Sequence, residues 1–360
     1  MPKLPWFVVL AAVAACVAVA PSARSGDLPG TSMRPAIAPS EDAAVLLGKR
    51  LFFDPRLSAD RNTSCATCHR PERAFTDDRP AAVGAFGRRG TRNTPSLIGV
   101  GERSTLTWDG RGKDLAHQVL VPLTHPAEMG GASLDEVIAA IAGDDGYVQA
   151  FARSFGSARI DAASIGRALV AYVATFRPGA SPIDRYLQGK PEALSRAARR
   201  GLTLFTGAAG CSECHGVSGG EAFTDGRFHR TGVGLTPVLP RLAEVVQRAL
   251  AIPAERLDHA VAEDGAIAAL GRFLVSKNPK DIGAYRTPSL RNVAVTSPYM
   301  HDGSIATLAE AVDAEIYYRT VATGKPLILT PTERADLVAF LESFTEDRFL
   351  PVRPDPSTQP

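Results

Sequence analysis

The residues best suited to chemistry are two copies of one short pattern, Cys65-Ala66-Thr67-Cys68-His69 and Cys211-Ser212-Glu213-Cys214-His215. In Cys-x-x-Cys-His the two thiols can add across the vinyl groups of a haem, and the adjacent histidine then lies under the iron as its axial ligand. A zinc ribbon would place its cysteine pairs close together, whereas these lie far apart in the chain. A redox dithiol would not need the histidine in both copies. Of the five cysteines only Cys16 falls outside the motifs, so no thiol is left for the disulfides common in exported proteins. The pattern predicts two covalent haems c, attached at Cys65, Cys68, Cys211 and Cys214 and ligated by His69 and His215.

The elements that must position these motifs repeat with them. Leu51-Phe52 precedes the first motif and Leu204-Phe205 the second; Phe75-Thr76-Asp77 and Phe223-Thr224-Asp225 follow. Thr94-Pro95-Ser96-Leu97 is matched by Thr287-Pro288-Ser289-Leu290, and fourteen residues after each proline comes Asp-Gly, at Asp109-Gly110 and Asp302-Gly303. The shared spacing argues for two copies of one haem-binding unit. Helical signals dominate. Ser133-Leu134-Asp135-Glu136 reads as a helix start, with Val137, Ile138 and Ile141 following at helical spacing. Ile165, Leu169, Tyr172, Val173 and Phe176 form a second apolar stripe. Thr330-Pro331-Thr332-Glu333 opens a third helix, with Leu337, Phe340, Leu341 and Phe344 facing inward. The expected fold is all-α: two cytochrome c-like domains, each with one covalently bound c-type haem, at 40–185 and 192–345. The segment from Phe176 to Pro191, rich in Pro and Gly, reads as a linker.

Before these units, Lys3, an apolar run from Trp6 to Ala20 and Pro21-Ser22-Ala23 read as a signal peptide over residues 1–23, implying a periplasmic protein. No later stretch is apolar enough to span a bilayer. A formal charge of +2 gives no reason to expect a nucleic-acid partner.

These residues together resemble the bacterial di-haem cytochrome c peroxidase family, which includes the MauG-type enzymes. The resemblance runs from about Leu46 to Phe344. It is carried by Ser64-Cys65-Ala66-Thr67-Cys68-His69, Arg92-Asn93-Thr94-Pro95-Ser96-Leu97, Trp108-Asp109-Gly110-Arg111, Pro122, Glu128-Met129-Gly130, Arg286-Thr287-Pro288-Ser289-Leu290-Arg291-Asn292-Val293 and Pro298-Tyr299-Met300-His301-Asp302-Gly303. It implies that hydrogen peroxide reacts at the N-terminal haem and that electrons pass through the C-terminal haem. Trp108 would lie between the haems as a relay, with Gln118 and Glu128 lining the distal pocket and Glu128 moving the proton from the bound to the leaving oxygen. A calcium ion between the domains would take the Asn93 side chain and the carbonyls of Thr296 and Pro298. Of the remaining histidines, His117, His125, His229 and His259 have no ligand spacing and are expected at the surface or in hydrogen bonds; His125, close to Glu128, is the one to examine near the distal pocket.

Two positions depart from the family pattern. Where many members carry a histidine that caps the peroxide haem, this chain has Ala85, which implies a site open without reductive activation. Where the distal ligand of the second haem is usually Met or Tyr, this chain has Glu315, on the apolar face of a helix begun by Thr307 and Glu310; Tyr318 lies at the edge of that face and Tyr317 points away. Glu315 or Tyr318 is the expected ligand, with a vacant or water-bound position as the third option. Three functions follow: a periplasmic peroxidase fed by a small cytochrome or copper protein, a MauG-type oxidase that modifies a side chain on a partner protein, or a di-haem electron carrier without turnover. A homodimer is compatible with any of them.

Overall fold

The computed structural model describes residues 42–350 except 113, 132 and 218–221; the expected signal peptide and Cys16 lie outside the described residues. The chain is mainly α-helical. Helix α1 (Ala43–Phe53) begins where the Asp42 side chain accepts the Ala44 N–H, and it buries Leu47, Leu51 and Phe52. The first motif forms the single turn α2 (Cys65–Cys68). Two more short turns follow, α3 (Leu115–Gln118) and α4 (Val121–Thr124). Then come α5 (Leu134–Ala142), α6 (Asp145–Phe155) and α7 (Ala162–Val173). Ser133 caps α5 by accepting the Glu136 N–H.

The second half opens with α8 (Pro182–Leu187) and α9 (Arg196–Thr206). Beyond the second motif lie β1 (Phe228–Arg230), α10 (Leu242–Leu250), α11 (Leu257–Glu263), α12 (Gly265–Ala268), α13 (Phe273–Ser276) and β2 (Ala284–Arg286). The strands pair antiparallel with His229 opposite Tyr285. Helices α14 (Leu308–Thr323) and α15 (Pro331–Glu342) close the half, each with a capping box, at Thr307 and Glu310 and at Thr330 and Glu333. No described helix is long and apolar enough to cross a membrane.

The repeat seen in the sequence is a repeat in packing. Helix α1 packs on α7, and α9 on α15. Each pair crosses at a glycine three residues before the Leu-Phe step. A methyl at Gly48 would lie 1.9 Å from the Ala168 carbonyl oxygen, and one at Gly201 would lie 2.0 Å from that of Asp336. The side chains around each crossing form separate apolar cores, one holding Leu51, Phe52, Ile165 and Leu169 and the other Phe205, Leu337, Phe340 and Phe344.

Two features depart from the sequence reading. The expected linker contains α8. Pro182 at its first turn and the reciprocal bonds of Ser181 and Asp184 start it, and Arg291 clamps Asp184 at 2.5 and 2.7 Å, so a Pro- and Gly-rich segment holds a short helix that buries Ile183. Second, α10–α13 form a third apolar core around Val245, Ala249 and Leu270. This helical insert interrupts the second half, yet its polar contacts reach the first. Asp258 pairs with Arg111, the Thr91 hydroxyl donates to the Val261 carbonyl, and Arg92 donates to the Ala268 carbonyl.

Candidate active site and haem cavities

Each Cys-x-x-Cys-His motif borders a cavity. Both histidine rings are held the same way: Nδ1 of His69 is 2.9 Å from the Phe75 carbonyl oxygen, and Nδ1 of His215 is 3.0 Å from that of Phe223. Because a carbonyl only accepts, Nδ1 carries the proton and Nε2 is left as the electron-pair donor. The repeated Phe-Thr-Asp segment therefore orients the ligand. Phe75 and Phe223 take positive φ, 59° and 46°, and the Thr-Pro-Ser-Leu repeat braces the same loops: Ser96 Oγ donates to the Ala74 carbonyl and Ser289 Oγ to that of Ala222, at 2.7 and 2.6 Å.

Burial raises all four motif thiols, Cys65 and Cys68 up to about 12 and Cys211 up to about 11, which disfavours a redox dithiol, since that chemistry needs the thiolate. Cys214 lies with Asp225 and His229 in a group whose ligand atoms are within 4.8 Å of one another; there His229 Nε2 bonds Asp225 at 2.7 Å. Two cysteine thiols, a histidine whose Nε2 is left as donor and a largely apolar cavity fit a thioether-bound haem in each half.

The first cavity, of about 250 Å³, is bordered by Cys65, Cys68 and His69, and also by Trp108, Gln118 and Glu128. The three proposed catalytic residues thus face one space. Glu128 is held by its backbone, with its N–H donating to the His125 carbonyl (3.0 Å) and its own carbonyl accepting the Ala85 N–H (2.6 Å). Its side chain keeps 40% of its surface accessible, but that surface belongs to a cavity wall. Burial accordingly pushes its carboxyl up to about 7; Arg111 pulls it down, and Asp258 pushes it further up. Arg111 is fixed between Asp258 and the fully buried Asp109, at 2.7 Å from the latter. Against the opposing effect of burial, Arg111 and Arg92 hold Asp109 below the usual carboxylate range.

Sequence reasoning missed Arg111 and Asp258. The first stands in the quoted Trp-Asp-Gly-Arg motif, and the second carried no local signal. Ala85 is completely buried beside Gly130, and its neighbour Gly84 borders the cavity instead. Among the other histidines, His117 is exposed. His125 is 1% exposed, with Nδ1 3.9 Å from Glu128 Oε1 and its ring centroid 4.9 Å from that of His259.

Trp108 borders both cavities. Its indole Nε1 donates to the Asn93 carbonyl at 2.8 Å, and its own carbonyl accepts the Arg286 N–H of β2 at 2.8 Å. The second cavity, of about 560 Å³, is bordered by Cys211, Cys214 and His215. Glu315, Tyr318, Met300 and His229 also line it; His229 is exposed and bonded to Asp225, in line with the expectation of a surface or hydrogen-bonded residue, and it borders the cavity as well. Burial raises the Glu315 carboxyl, with Arg319 opposing. Tyr317 is 62% exposed. Asn93, Thr296 and Pro298 lie on the wall of the same cavity, and the Asn93 N–H donates to the His301 carbonyl at 3.0 Å.

Residues 42–192 match the family model described as "Di-haem cytochrome c peroxidase". The chain is 34% identical to the methylamine utilization protein MauG of Methylorubrum extorquens, over 88% of this chain and 82% of that one. It belongs to the di-haem cytochrome c peroxidase family. Across this family the relatives include the cytochrome c551 peroxidase of Pseudomonas aeruginosa, 33% identical over 83% of this chain and 78% of that one. Among solved structures, a MauG-like protein associated with microbial copper homeostasis superimposes with a TM-score of 0.65 at 34% identity, covering 91% of this chain and 99% of that one. Family membership makes the chain a haem oxidoreductase and implies two c-type haems.

Proposed function

We propose that this chain is a di-haem c-type peroxidase that reacts with hydrogen peroxide in the cavity of His69 and receives electrons through the cavity of His215. The observation that carries this reading is the convergence of Glu128, Gln118 and Trp108 on the wall of the cavity that holds Cys65, Cys68 and His69. Haem iron held there supplies the binding site for peroxide and the electrons that cleave its O–O bond. His69 and His215, oriented by the Phe75 and Phe223 carbonyls, would hold the haem irons through Nε2. A Glu128 carboxylate oxygen accepts a proton from hydrogen peroxide and returns it to the departing oxygen, which leaves as water. Gln118 holds the peroxide through its amide. Trp108, bordering both cavities, provides the route between them. Glu315 or Tyr318, both on the wall of the second cavity, would offer an oxygen ligand to a haem iron held there. Asn93, with the Thr296 and Pro298 carbonyls, holds a calcium ion, for which oxygen donors are suited. The haem-binding units span 40–185 and 192–345, and the N-terminal leader directs the protein to the periplasm, where a small cytochrome or copper protein is the donor.

A MauG-type oxidase acting on a partner protein is the second reading. It is favoured by Ala85, which offers no ligand where a capping histidine would stand, and by the similarity to MauG itself. A carrier without turnover would have no use for Glu128 and Gln118. Rapid mixing of the ferric protein with hydrogen peroxide tests the assignment: Glu128→Gln is expected to slow the haem spectral change by ~10²–10⁴-fold, and an unchanged rate would refute it. Steady peroxide consumption with a reduced small cytochrome supports the peroxidase; a peroxide-induced spectral change without consumption supports the MauG-type reading.

A further inference from the structure

Most arginines in the interior meet a carboxylate. Arg92 and Arg111 face Asp109, and Arg291 is clamped on Asp184. Arg103 and Arg286 are different. Among the described residues neither has an acidic side chain at ion-pair distance, and the charge felt by Arg103 is that of Arg286. Arg286 is only 6% exposed. Both side chains border both cavities.

Their hydrogen bonds orient them without neutralising them. Arg103 donates from Nη1 to the Ser96 carbonyl (3.2 Å) and from Nη2 to that of Ile98 (2.6 Å). Arg286 donates from Nε to the Thr107 carbonyl and from Nη1 to that of Thr287, each at 3.3 Å. Burial, with Arg286 alongside, pushes the Arg103 guanidinium down to about 9. An interior cation without a counter-charge is expensive, and two adjacent ones more so. The guanidinium fork matches a carboxylate, and the space that both groups share is the junction of the two cavities.

We propose that Arg103 and Arg286 form a carboxylate-binding pair shared by both cavities, whose ligands are the propionate groups of the two haems. The proposal rests on the reading that a haem fills each cavity. A free small carboxylate would satisfy the same chemistry. The pair adjoins the relay: Arg286 also bonds the Trp108 carbonyl through its N–H, so the groups that neutralise the propionates and the residue between the haems share one backbone connection.

The test uses the holoenzyme and the variants Arg103→Met, Arg286→Met, Arg103→Lys and Arg286→Lys. Haem is counted as the pyridine haemochrome, the propionate bending bands are read by resonance Raman, and the wild type is titrated with acetate. The expected result is two haems per chain, with the propionate bands of both haems displaced in each Met variant, displaced less in each Lys variant, and unaffected by acetate in the wild type. Should a Met variant fail to accumulate, the Lys variant decides, since retained charge with altered reach still displaces the bands. Unchanged bands in the variants overturn the proposal. A saturable acetate effect in the wild type that disappears in the variants overturns the propionate assignment in favour of a free anion. Fewer than two haems in the wild type overturns the occupancy reading, and with it the ligand named here.

Discussion

Glu128 shows how much of a residue's chemistry comes from its surroundings. A carboxylate that must accept a proton from peroxide works best with a pKa near the working pH, and burial pushes Glu128 up to about 7. In the proposed role the ionised form is the base, so the rate of reaction with peroxide is expected to rise as pH passes through about 7 and to level off above it. Asp258 is one of the groups that keeps this value high, while Arg111 opposes it. In Asp258→Asn the Glu128 carboxyl loses a repelling charge and keeps the attracting one. The inflection of the rate profile should therefore move to lower pH. Stopped-flow rates across the pH range would check this, and an unmoved inflection would exclude Asp258 as a tuning residue.

At the scale of elements, the two helix crossings are the joints on which the haem-binding halves depend. Gly48 and Gly201 let α1 meet α7 and α9 meet α15 with backbone nearly touching backbone. Alanine normally favours a helix over glycine by ~1 kcal/mol, but at these positions its methyl would have to displace a neighbouring carbonyl. Overpacking of this kind costs about 1–3 kcal/mol. Gly48→Ala and Gly201→Ala should each lower the denaturation midpoint. Gly143→Ala, where nothing lies within 4 Å of the added methyl, should leave it nearly unchanged. Chemical denaturation of the three variants separates a packing role from a propensity effect. The helical insert α10–α13 belongs to the same scale: it delivers Asp258 to Arg111 on the wall of the first cavity, although the sequence carries it between the second motif and β2.

For the whole molecule, the decisive arrangement is that both cavities share a wall that includes Asn93, Arg103, Trp108 and Arg286 beside the Thr94-Pro95-Ser96 segment. Trp108 is hydrogen-bonded to the carbonyl of Asn93, the residue proposed to hold calcium through its side chain. Removing that ion with a chelator should loosen the tie between the two halves. The expected outcome is a lower thermal midpoint and altered haem spectra, both restored by added calcium; midpoints and spectra indifferent to chelator would argue against a calcium site at Asn93, Thr296 and Pro298.

The sequence alone determined what depends on neighbouring residues. The two Cys-x-x-Cys-His motifs, the helix starts at Ser133, Thr307 and Thr330, and the paired Phe-Thr-Asp and Thr-Pro-Ser-Leu segments were legible because thioether attachment, capping and turn geometry act over a few positions. The face of α14 that carries Glu315 was legible too, since a helical period places it. Tertiary structure decided the rest. The proline-rich stretch before α9 holds a helix that Ser181, Pro182 and Asp184 start locally and that Arg291, far along the chain, anchors by clamping Asp184. His229 reached the second cavity through strand pairing, and Arg111 met Asp258 through an insert with its own core. Whether a buried arginine has a counter-charge is likewise invisible in its neighbours: Arg103 carried no signal and Arg286 only its place in the Arg-Thr-Pro-Ser-Leu motif, until packing brings them to the same two cavities. These contacts join residues far apart in the chain, and only the packing of the three cores fixes them.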